Sequence, residues 1–269
     1  MSGFDRGMKC EWQSKDDPPA IVASTKGHML RQKLTRLAEN VWLWPHRSSL
    51  MAIQSSVGII TGENETMLVD AGNSPQLACR IKDELRQAGF PPVGRIIYTH
   101  HHWDHVYGAC EFQVPVVAHS LCKTLLAEEA QKPWGLEYLR QEVEHNPRLK
   151  VSYRARARAI RDWATFRIII PHVVFDDCMT IQLGQIRVEL EHVGGRHAAD
   201  SIVVKVPHAG IMFLGDCYYP PPLHLRTPES KPSLEMLAAL ESKAYTLYVE
   251  GHDKPLTRAR LLGMLAKRT

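Results

Sequence analysis

The sequence lacks the features of membrane-spanning and disulfide-stabilised proteins. No run of about 18 apolar residues is present, so no transmembrane helix is expected, although a 44% hydrophobic content in 269 residues supports a sizeable core. The six cysteines form no Cys-x-x-Cys pair, which argues against a disulfide framework or a zinc ribbon and favours a reducing, cytoplasmic location. Residues 1–19 also lack the apolar segment of a secretory signal peptide.

A strong excess of one charge is also missing, but the charge is unevenly distributed. A net charge of +4 is too small to indicate a nucleic-acid partner by itself. The basic segment, residues 148–167, nevertheless carries one acid, Asp162, and seven bases: Arg148, Lys150, Arg154, Arg156, Arg158, Arg161 and Arg167. Such a segment is typical of a solvated helix face or a homodimer contact. It also fits a cover over an active site that attracts a carboxylate, phosphate or other anionic group.

The organisation of the chain is predicted from its interruptions. A chain of this length and mixed pattern is most simply one domain, since α/β chains of about 200 to 250 residues are often single domains. We expect residues 1–30 to form a loosely ordered arm and residues 31–269 to form the domain. An insertion is expected at about residues 131–172, where Lys132-Pro133-Trp134-Gly135 and Asn146-Pro147 break a helical pattern.

The hydrophobic pattern indicates a layered α/β fold. Short β-rich runs occupy residues 35–44, 50–60 and 66–69, and Pro75 to Ala88 has helical spacing, with Gly89 at its end. A strand follows at once, giving a strand, helix, strand unit. A second set of strands is predicted over residues 173–214, and helices are predicted at about residues 233–243 and 257–267.

A cluster of metal-binding residue types follows the strand after the first helix, and it reads Thr99-His100-His101-His102-Trp103-Asp104-His105. Imidazole and carboxylate are the ligands that suit zinc and related divalent metals. If the backbone stays extended past Thr99, His100 and His102 point the same way, so one metal can bind both. Asp104 and His105 follow where the chain bends toward a helix, which favours a second metal beside the first.

The spacing His-x-His-x-Asp-His after a strand resembles the signature of the metallo-β-lactamase superfamily of hydrolases. The other segments of that pattern are present in the expected order: Val69-Asp70-Ala71-Gly72, Gly194-Gly195-Arg196-His197-Ala198-Ala199-Asp200-Ser201, Phe213-Leu214-Gly215-Asp216-Cys217 and Glu250-Gly251-His252-Asp253. The resemblance spans roughly residues 35–255. It implies a four-layered αββα sandwich with a helical insertion, and a site along one edge of the sheets.

The resemblance also implies a ligand for each metal. His100, His102 and His197 would bind the first metal, Asp104, His105 and His252 the second, and Asp216 would bridge them. Two zinc ions per chain are expected, although manganese, iron or cobalt would tolerate the same ligands. Cys217 is interpreted as a neighbour of the site. The candidate catalytic residues are Asp104 and Tyr219, which lies three positions beyond Asp216 as in the lactone-opening members of the family.

The bond that is cleaved stays open at this point. The favoured function is a dinuclear zinc hydrolase that attacks an ester, lactone or thioester of a small molecule with a metal-bridging hydroxide. The alternatives are a β-lactam hydrolase, a metal-dependent nuclease or phosphodiesterase, and a mononuclear iron persulfide dioxygenase on the same fold. Aromatic residues for base stacking are few in the basic segment, which disfavours a nucleic-acid partner. No membrane partner is expected.

Overall fold

Two β-sheets form the centre of the structure, which is a computed structural model. It describes residues 34–47, 49 and 51–267, and these belong to one compact unit. The predicted N-terminal arm, residues 1–30, lies outside the described residues. None of the helices in the described part of the chain has the length and apolar character that crossing a membrane requires.

The first sheet of the described residues has seven strands, which lie side by side in chain order. Its strands are β1 (Thr35–Ala38), β2 (Val41–Trp44), β3 (Val57–Thr61), β4 (Thr66–Val69), β5 (Val93–Ile97), β6 (Val116–His119) and β7 (Val173–Phe175). The first four strands form an antiparallel meander, and β4 to β7 run parallel. Parallel neighbours need crossover connections, and helices supply them here.

The second sheet has six strands among the described residues. They are β8 (Cys178–Leu183), β9 (Ile186–His192), β10 (Ile202–Val206), β11 (Ile211–Gly215), β12 (Leu247–Glu250) and β13 (Leu256–Thr257). Strands β8 to β11 are antiparallel neighbours, whereas β11 and β12 run parallel. Their order in the sheet is β13-β12-β11-β10-β9-β8.

Helices cover the outer faces of both sheets. They are α1 (Pro75–Gln87), α2 (Trp103–Val106), α3 (Ser120–Ala130), α4 (Leu136–His145), α5 (Lys150–Ala159), α6 (Leu234–Leu240) and α7 (Arg258–Ala266). The start of α1 follows directly from its sequence, because the Ser74 hydroxyl caps the Leu77 amide at 3.2 Å and Pro75 occupies the first turn. Gly89, with φ of +74°, follows its end.

The burial pattern separates three apolar layers and confirms the predicted αββα sandwich. In β3 and β4, Ile60 and Met67 face the second sheet, where they share a core with Phe213. Their neighbours Ile59 and Leu68 point the other way, into a core shared with α1 and α3. A third core joins the second sheet to α6 and α7. The helices α4 and α5 lie within the segment predicted as an insertion, between β6 and β7.

Two strands of the structure differ in their bounds from those considered in the sequence analysis. The strand expected over residues 50–60 begins only at Val57, because the chain turns through residues 51–56 and Ile53 has a positive φ of 40°. Leu50 lies outside the described residues. The strand before the histidines ends at Ile97, so the condition of an extended backbone past Thr99 is not met, because the Thr99 amide donates to a carboxylate oxygen of Asp70 at 2.7 Å instead of to a neighbouring strand.

Candidate metal centre

The histidine-rich segment leaves the first sheet in a bend. Residues 99–101 form this bend between β5 and the short helix α2, so the backbone is not continuously extended from Thr99 to His102, although His102 itself has extended dihedral angles. The bend is fixed by Asp70, whose carboxylate accepts from the Thr99 amide at 2.7 Å and from the Thr99 hydroxyl at 2.9 Å. The two imidazoles still face one another, with His100 Nε2 and His102 Nδ1 3.0 Å apart.

Three imidazoles converge in a first cluster, formed by His100, His102 and His197. His197 lies in the loop between β9 and β10, and its Nε2 is 2.9 Å from His102 Nδ1. Its other nitrogen, Nδ1, donates to the carbonyl of Pro220 at 2.8 Å. His100 Nδ1 contacts the Thr99 hydroxyl at 3.1 Å. The Nδ1 atoms of His100 and His197 thus have partners outside the cluster. The Nε2 atoms of these two rings are left to face His102 Nδ1.

A second cluster contains Asp104, His105 and His252. His252 follows β12, and its Nε2 lies 2.9 Å from Asp104 Oδ2. His105 Nδ1 donates to Asp70 Oδ2 at 2.7 Å, which directs its Nε2 toward Asp104 Oδ2 at 3.6 Å. Asp70 therefore organises both the bend and the orientation of His105, and it is itself buried.

Asp216 lies between the two clusters. It follows β11, and its Oδ2 is 3.1 Å from His197 Nε2 in the first cluster and 3.4 Å from His252 Nε2 in the second. Its Oδ1 is 3.6 Å from His105 Nε2. One buried carboxylate thus faces imidazoles of both clusters, and the structure brings all seven residues predicted as ligands into one centre.

The electrostatics differ between the clusters. Burial, and then the neighbouring imidazoles, lowers the pKa of His100 and His102 well below the usual range, so both rings are neutral at pH 7. Burial also acts to lower the pKa of His252, but Asp216 and Asp104 outweigh it and raise the value to about 10. Three carboxylates lie on this side of the centre, those of Asp70, Asp104 and Asp216. A positive charge is therefore stabilised there.

The residues fit a divalent cation. His105 Nε2 and Asp216 Oδ1 are buried without a hydrogen-bond partner among the described residues, and they face each other at 3.6 Å. A buried nitrogen and a buried carboxylate oxygen that lack partners are costly unless an ion or another group satisfies them. Neutral imidazole and carboxylate are the donor set that zinc prefers, and three ligands per cluster leave a coordination position open.

A cavity of about 370 Å³ opens onto this centre. Residues of both clusters line it, and Tyr219 lies on the same wall. The Tyr219 hydroxyl accepts from the His252 amide at 3.3 Å, and burial followed by the nearby Asp216 carboxylate raises the pKa of this phenol. The phenol is therefore protonated at neutral pH. Cys217 points instead into the core beneath α6 and belongs to neither cluster.

Sequence reasoning missed the residues that orient the ligands. Asp70 was recognised only as part of an Asp-x-Gly turn, although its carboxylate holds His105 and Thr99. The signal was present, because the turn precedes the histidines and buried carboxylates commonly hold metal-binding imidazoles. The pair His101 and Asp200, at 2.8 Å, had no comparable signal, because the two residues lie far apart in the chain.

Comparisons with known proteins agree with this geometry. The family model described as the metallo-beta-lactamase superfamily matches residues 50–252. The chain belongs to the metallo-β-lactamase superfamily, and it is thus an enzyme of a class of metal-dependent hydrolases. No curated protein matches its sequence.

Solved structures show the same fold at low sequence identity. A metallo-beta-lactamase from Pontibacter korlensis superposes with a TM-score of 0.60 and 19% identity, covering 87% of this chain and 97% of that one. The DIM-1 metallo-beta-lactamase superposes with a TM-score of 0.56 and 16% identity, covering 87% of this chain and 95% of that one. A double mutant of the sec-alkyl sulfatase PisA1 superposes with a TM-score of 0.63 and 14% identity, covering 88% of this chain and 41% of the sulfatase.

Proposed function

We propose that the protein is a dinuclear zinc hydrolase that cleaves an ester, lactone or thioester of a small molecule. The observation that carries this proposal is the position of Asp216, whose carboxylate faces His197 of one cluster and His105 and His252 of the other. A single carboxylate between two sets of three ligands is the arrangement that two metal ions share. In this proposal His100, His102 and His197 hold one ion, Asp104, His105 and His252 hold the other, and Asp216 contacts both.

Zinc is the proposed metal because of the donor atoms. Five imidazoles and two carboxylates suit zinc, and the described ligand groups contain no thiol that would favour a softer ion. When bound, the ions supply a nucleophile from water near neutral pH and polarise the carbonyl that is attacked. The protein contributes the geometry: Asp70, Thr99 and the Pro220 carbonyl fix the rings so that their inner nitrogens converge.

Tyr219 is proposed to act on the substrate from the cavity wall. Its hydroxyl is oriented by the His252 amide at 3.3 Å, and burial keeps the phenol protonated. A protonated hydroxyl next to the centre donates a hydrogen bond to the oxygen on which negative charge develops or to the departing oxygen. Asp104 is proposed to act as a ligand and, through its contact with His252, to hold that ring in place.

A panel of substrates tests the reaction class. Zinc-loaded protein would be assayed on an acyl-homoserine lactone, a glutathione thioester, an aryl ester, a β-lactam and a phosphodiester, each with and without a chelator. We expect chelator-sensitive turnover of the lactone, the thioester or the aryl ester. Two zinc ions per chain are expected by elemental analysis of the same sample.

Three other outcomes would replace the proposal. Turnover of the β-lactam alone would favour β-lactam hydrolysis, the activity for which two of the similar structures are named. Turnover of the phosphodiester alone, with salt-sensitive binding of nucleic acid, would favour a nuclease. One iron per chain, with oxygen consumption on a persulfide, would favour the dioxygenase. Each of these results contradicts the ester, lactone or thioester assignment.

A further inference from the structure

Arg156 occupies an unusual position in the basic segment. It lies on α5, and its guanidinium carbon is within 6 Å of four aromatic ring centres: Tyr153 at 4.7 Å, Trp134 at 4.9 Å, Trp103 at 5.5 Å and Tyr107 at 5.8 Å. Cation–π attraction to several rings holds the guanidinium in one position. The side chain is therefore positioned before any ligand arrives.

Two of the three guanidinium nitrogens of Arg156 lack a hydrogen-bond partner among the described residues. Its Nε and Nη1 are buried without a hydrogen-bond partner. An aromatic ring attracts the positive charge but does not replace a strong acceptor, so unpaired N–H groups of a buried guanidinium carry a desolvation cost. The same side chain lines the cavity that opens onto the metal centre. The guanidinium can therefore meet an acceptor in this cavity only through Nη2, which is not one of the buried atoms.

No carboxylate of the described cavity wall is available to pair with Arg156. The two acids that line the cavity are Asp104 and Asp216, and both belong to the candidate metal centre. The other charged residues on the wall are Arg47 and Arg226. His224 is on the wall as well, and burial followed by the charges of Arg156 and Arg148 lowers its pKa. The pocket outside the metal centre is thus cationic.

We propose that Arg156 binds a carboxylate of the substrate, so that the natural substrate carries a carboxylate separated by a short linker from the bond that is hydrolysed. This inference rests on the proposed hydrolase function. A carboxylate matches the planar, hydrogen-bonding edge of a guanidinium. The rest of the wall includes Ile53, Pro222 and Leu223, which fits a short apolar linker between the carboxylate and the scissile group.

The position of Arg156 also distinguishes it from the rest of the basic segment. Arg156 is the basic residue of that segment that lines this cavity in the described structure. Arg148 donates instead to the backbone carbonyl of Arg226, and Arg158 is exposed and contacts the sulfur of Met51 at 3.5 Å. Arg158 is therefore a matched control, since it is on the same helix and carries the same charge.

Kinetics on a pair of esters tests the proposal. The zinc-loaded enzyme would be assayed on mono-para-nitrophenyl adipate, which carries a carboxylate, and on para-nitrophenyl hexanoate, which is neutral and of equal length. We expect Arg156→Gln to raise KM for the adipate ester about tenfold to a hundredfold, because one charge-assisted interaction is lost. The same substitution should leave KM for the hexanoate ester within about twofold. Arg156→Lys should be intermediate for the adipate ester, and Arg158→Gln should change neither ester.

A binding measurement separates the carboxylate site from the hydrolysis. Trp103 and Trp134 pack on Arg156, so the tryptophan fluorescence of the metal-free protein would be titrated with adipate, neutral adipamide and sulfate. We expect a saturable change with adipate that Arg156→Gln abolishes and Arg158→Gln retains. The adipamide should give no such change, and sulfate should bind more weakly than adipate.

The outcomes distinguish the two proposals. If no ester is hydrolysed but adipate binding depends on Arg156, the proposed reaction is wrong and the carboxylate site stands. If both esters are hydrolysed and Arg156→Gln affects them equally, the hydrolase stands and the carboxylate site is wrong, because a structural role alone would impair both substrates. Stronger binding of sulfate than of adipate would also overturn the carboxylate assignment.

Discussion

Gly251 lies directly against the carboxylate of Asp216. A Cβ atom placed on Gly251 would be 2.0 Å from Asp216 Oδ1 and 3.0 Å from His105 Cε1. The backbone of Gly251 is held on both sides, because its amide donates to the Gly215 carbonyl at 3.0 Å and its carbonyl accepts from the Ser56 amide at 2.7 Å. The absence of a side chain at this position is therefore what allows the carboxylate to lie between the two clusters.

The substitution Gly251→Ala is expected to displace Asp216 and to lower metal content and turnover together. The backbone cannot retreat without breaking its two hydrogen bonds, so the carboxylate must move, at a cost of about 1 to 3 kcal/mol typical of overpacking. Gly263→Ala is the control, because nothing lies within 4 Å of its Cβ position on α7. That variant should keep both metals. Equal metal content in both variants, measured by elemental analysis, would contradict the prediction.

Removal of the shared carboxylate, Asp216→Ala, is expected to abolish hydrolysis and to reduce bound zinc from two ions per chain to at most one. The reason is that Asp216 faces imidazoles of both clusters. Asp253→Asn removes an exposed carboxylate next to His252 and should retain metal and rate. Full activity of Asp216→Ala in a chelator-sensitive assay would defeat the dinuclear proposal.

Asp70→Asn is expected to weaken zinc binding about tenfold to a hundredfold while the fold is retained. The amide cannot accept two hydrogen bonds from Thr99 and one from His105 as the carboxylate does. Asparagine tolerates the positive φ of 66° at this position, so the backbone conformation should persist. Competition with a chromogenic chelator measures the affinity, and an unchanged affinity would show that Asp70 acts only on the backbone.

Tyr219→Phe is expected to keep both metals and to lower kcat by about tenfold or more, because it removes the protonated hydroxyl from the cavity wall. The ring of Tyr219 packs against that of Tyr218 at 4.9 Å, and phenylalanine preserves this contact. Tyr218→Phe serves as the control for a general effect on packing. An unchanged kcat in Tyr219→Phe, with zinc content also unchanged, would assign Tyr219 a packing role only.

Much of the fold could be predicted because local patterns agreed with the final packing. The helix predicted for Pro75 to Ala88 forms at Pro75–Gln87, and the strands predicted over residues 173–214 include β9 at Ile186–His192. Each is set by signals within a few residues, such as alternating burial in β9. The bend at residues 99–101 could not be predicted, because it depends on a hydrogen bond from Thr99 to Asp70, 29 positions earlier in the chain.

The residue types of the candidate site could be predicted from the sequence, but the residues that hold them in position could not. Histidines and carboxylates at strand ends indicated a metal centre, and their grouping follows from the resemblance to the family. The box of aromatic rings around Arg156 could not be predicted from the sequence, since Trp103 and Tyr107 come from one segment and Trp134 from another, both outside α5. The basic segment indicated an anionic partner only in general terms, and the fold places one of its six arginines, Arg156, on the cavity wall.

The centre also joins distant parts of the chain. His100 follows a strand of the first sheet and His252 follows a strand of the second, and more than half of the sequence lies between them. Metal ions held by both sets of ligands would tie these segments together in the folded chain, and because the site does not exist in the unfolded chain, their binding free energy would stabilise the fold. A protein whose described cysteines are all free would thus possess a reversible cross-link, one that a chelator opens and a reducing agent leaves intact.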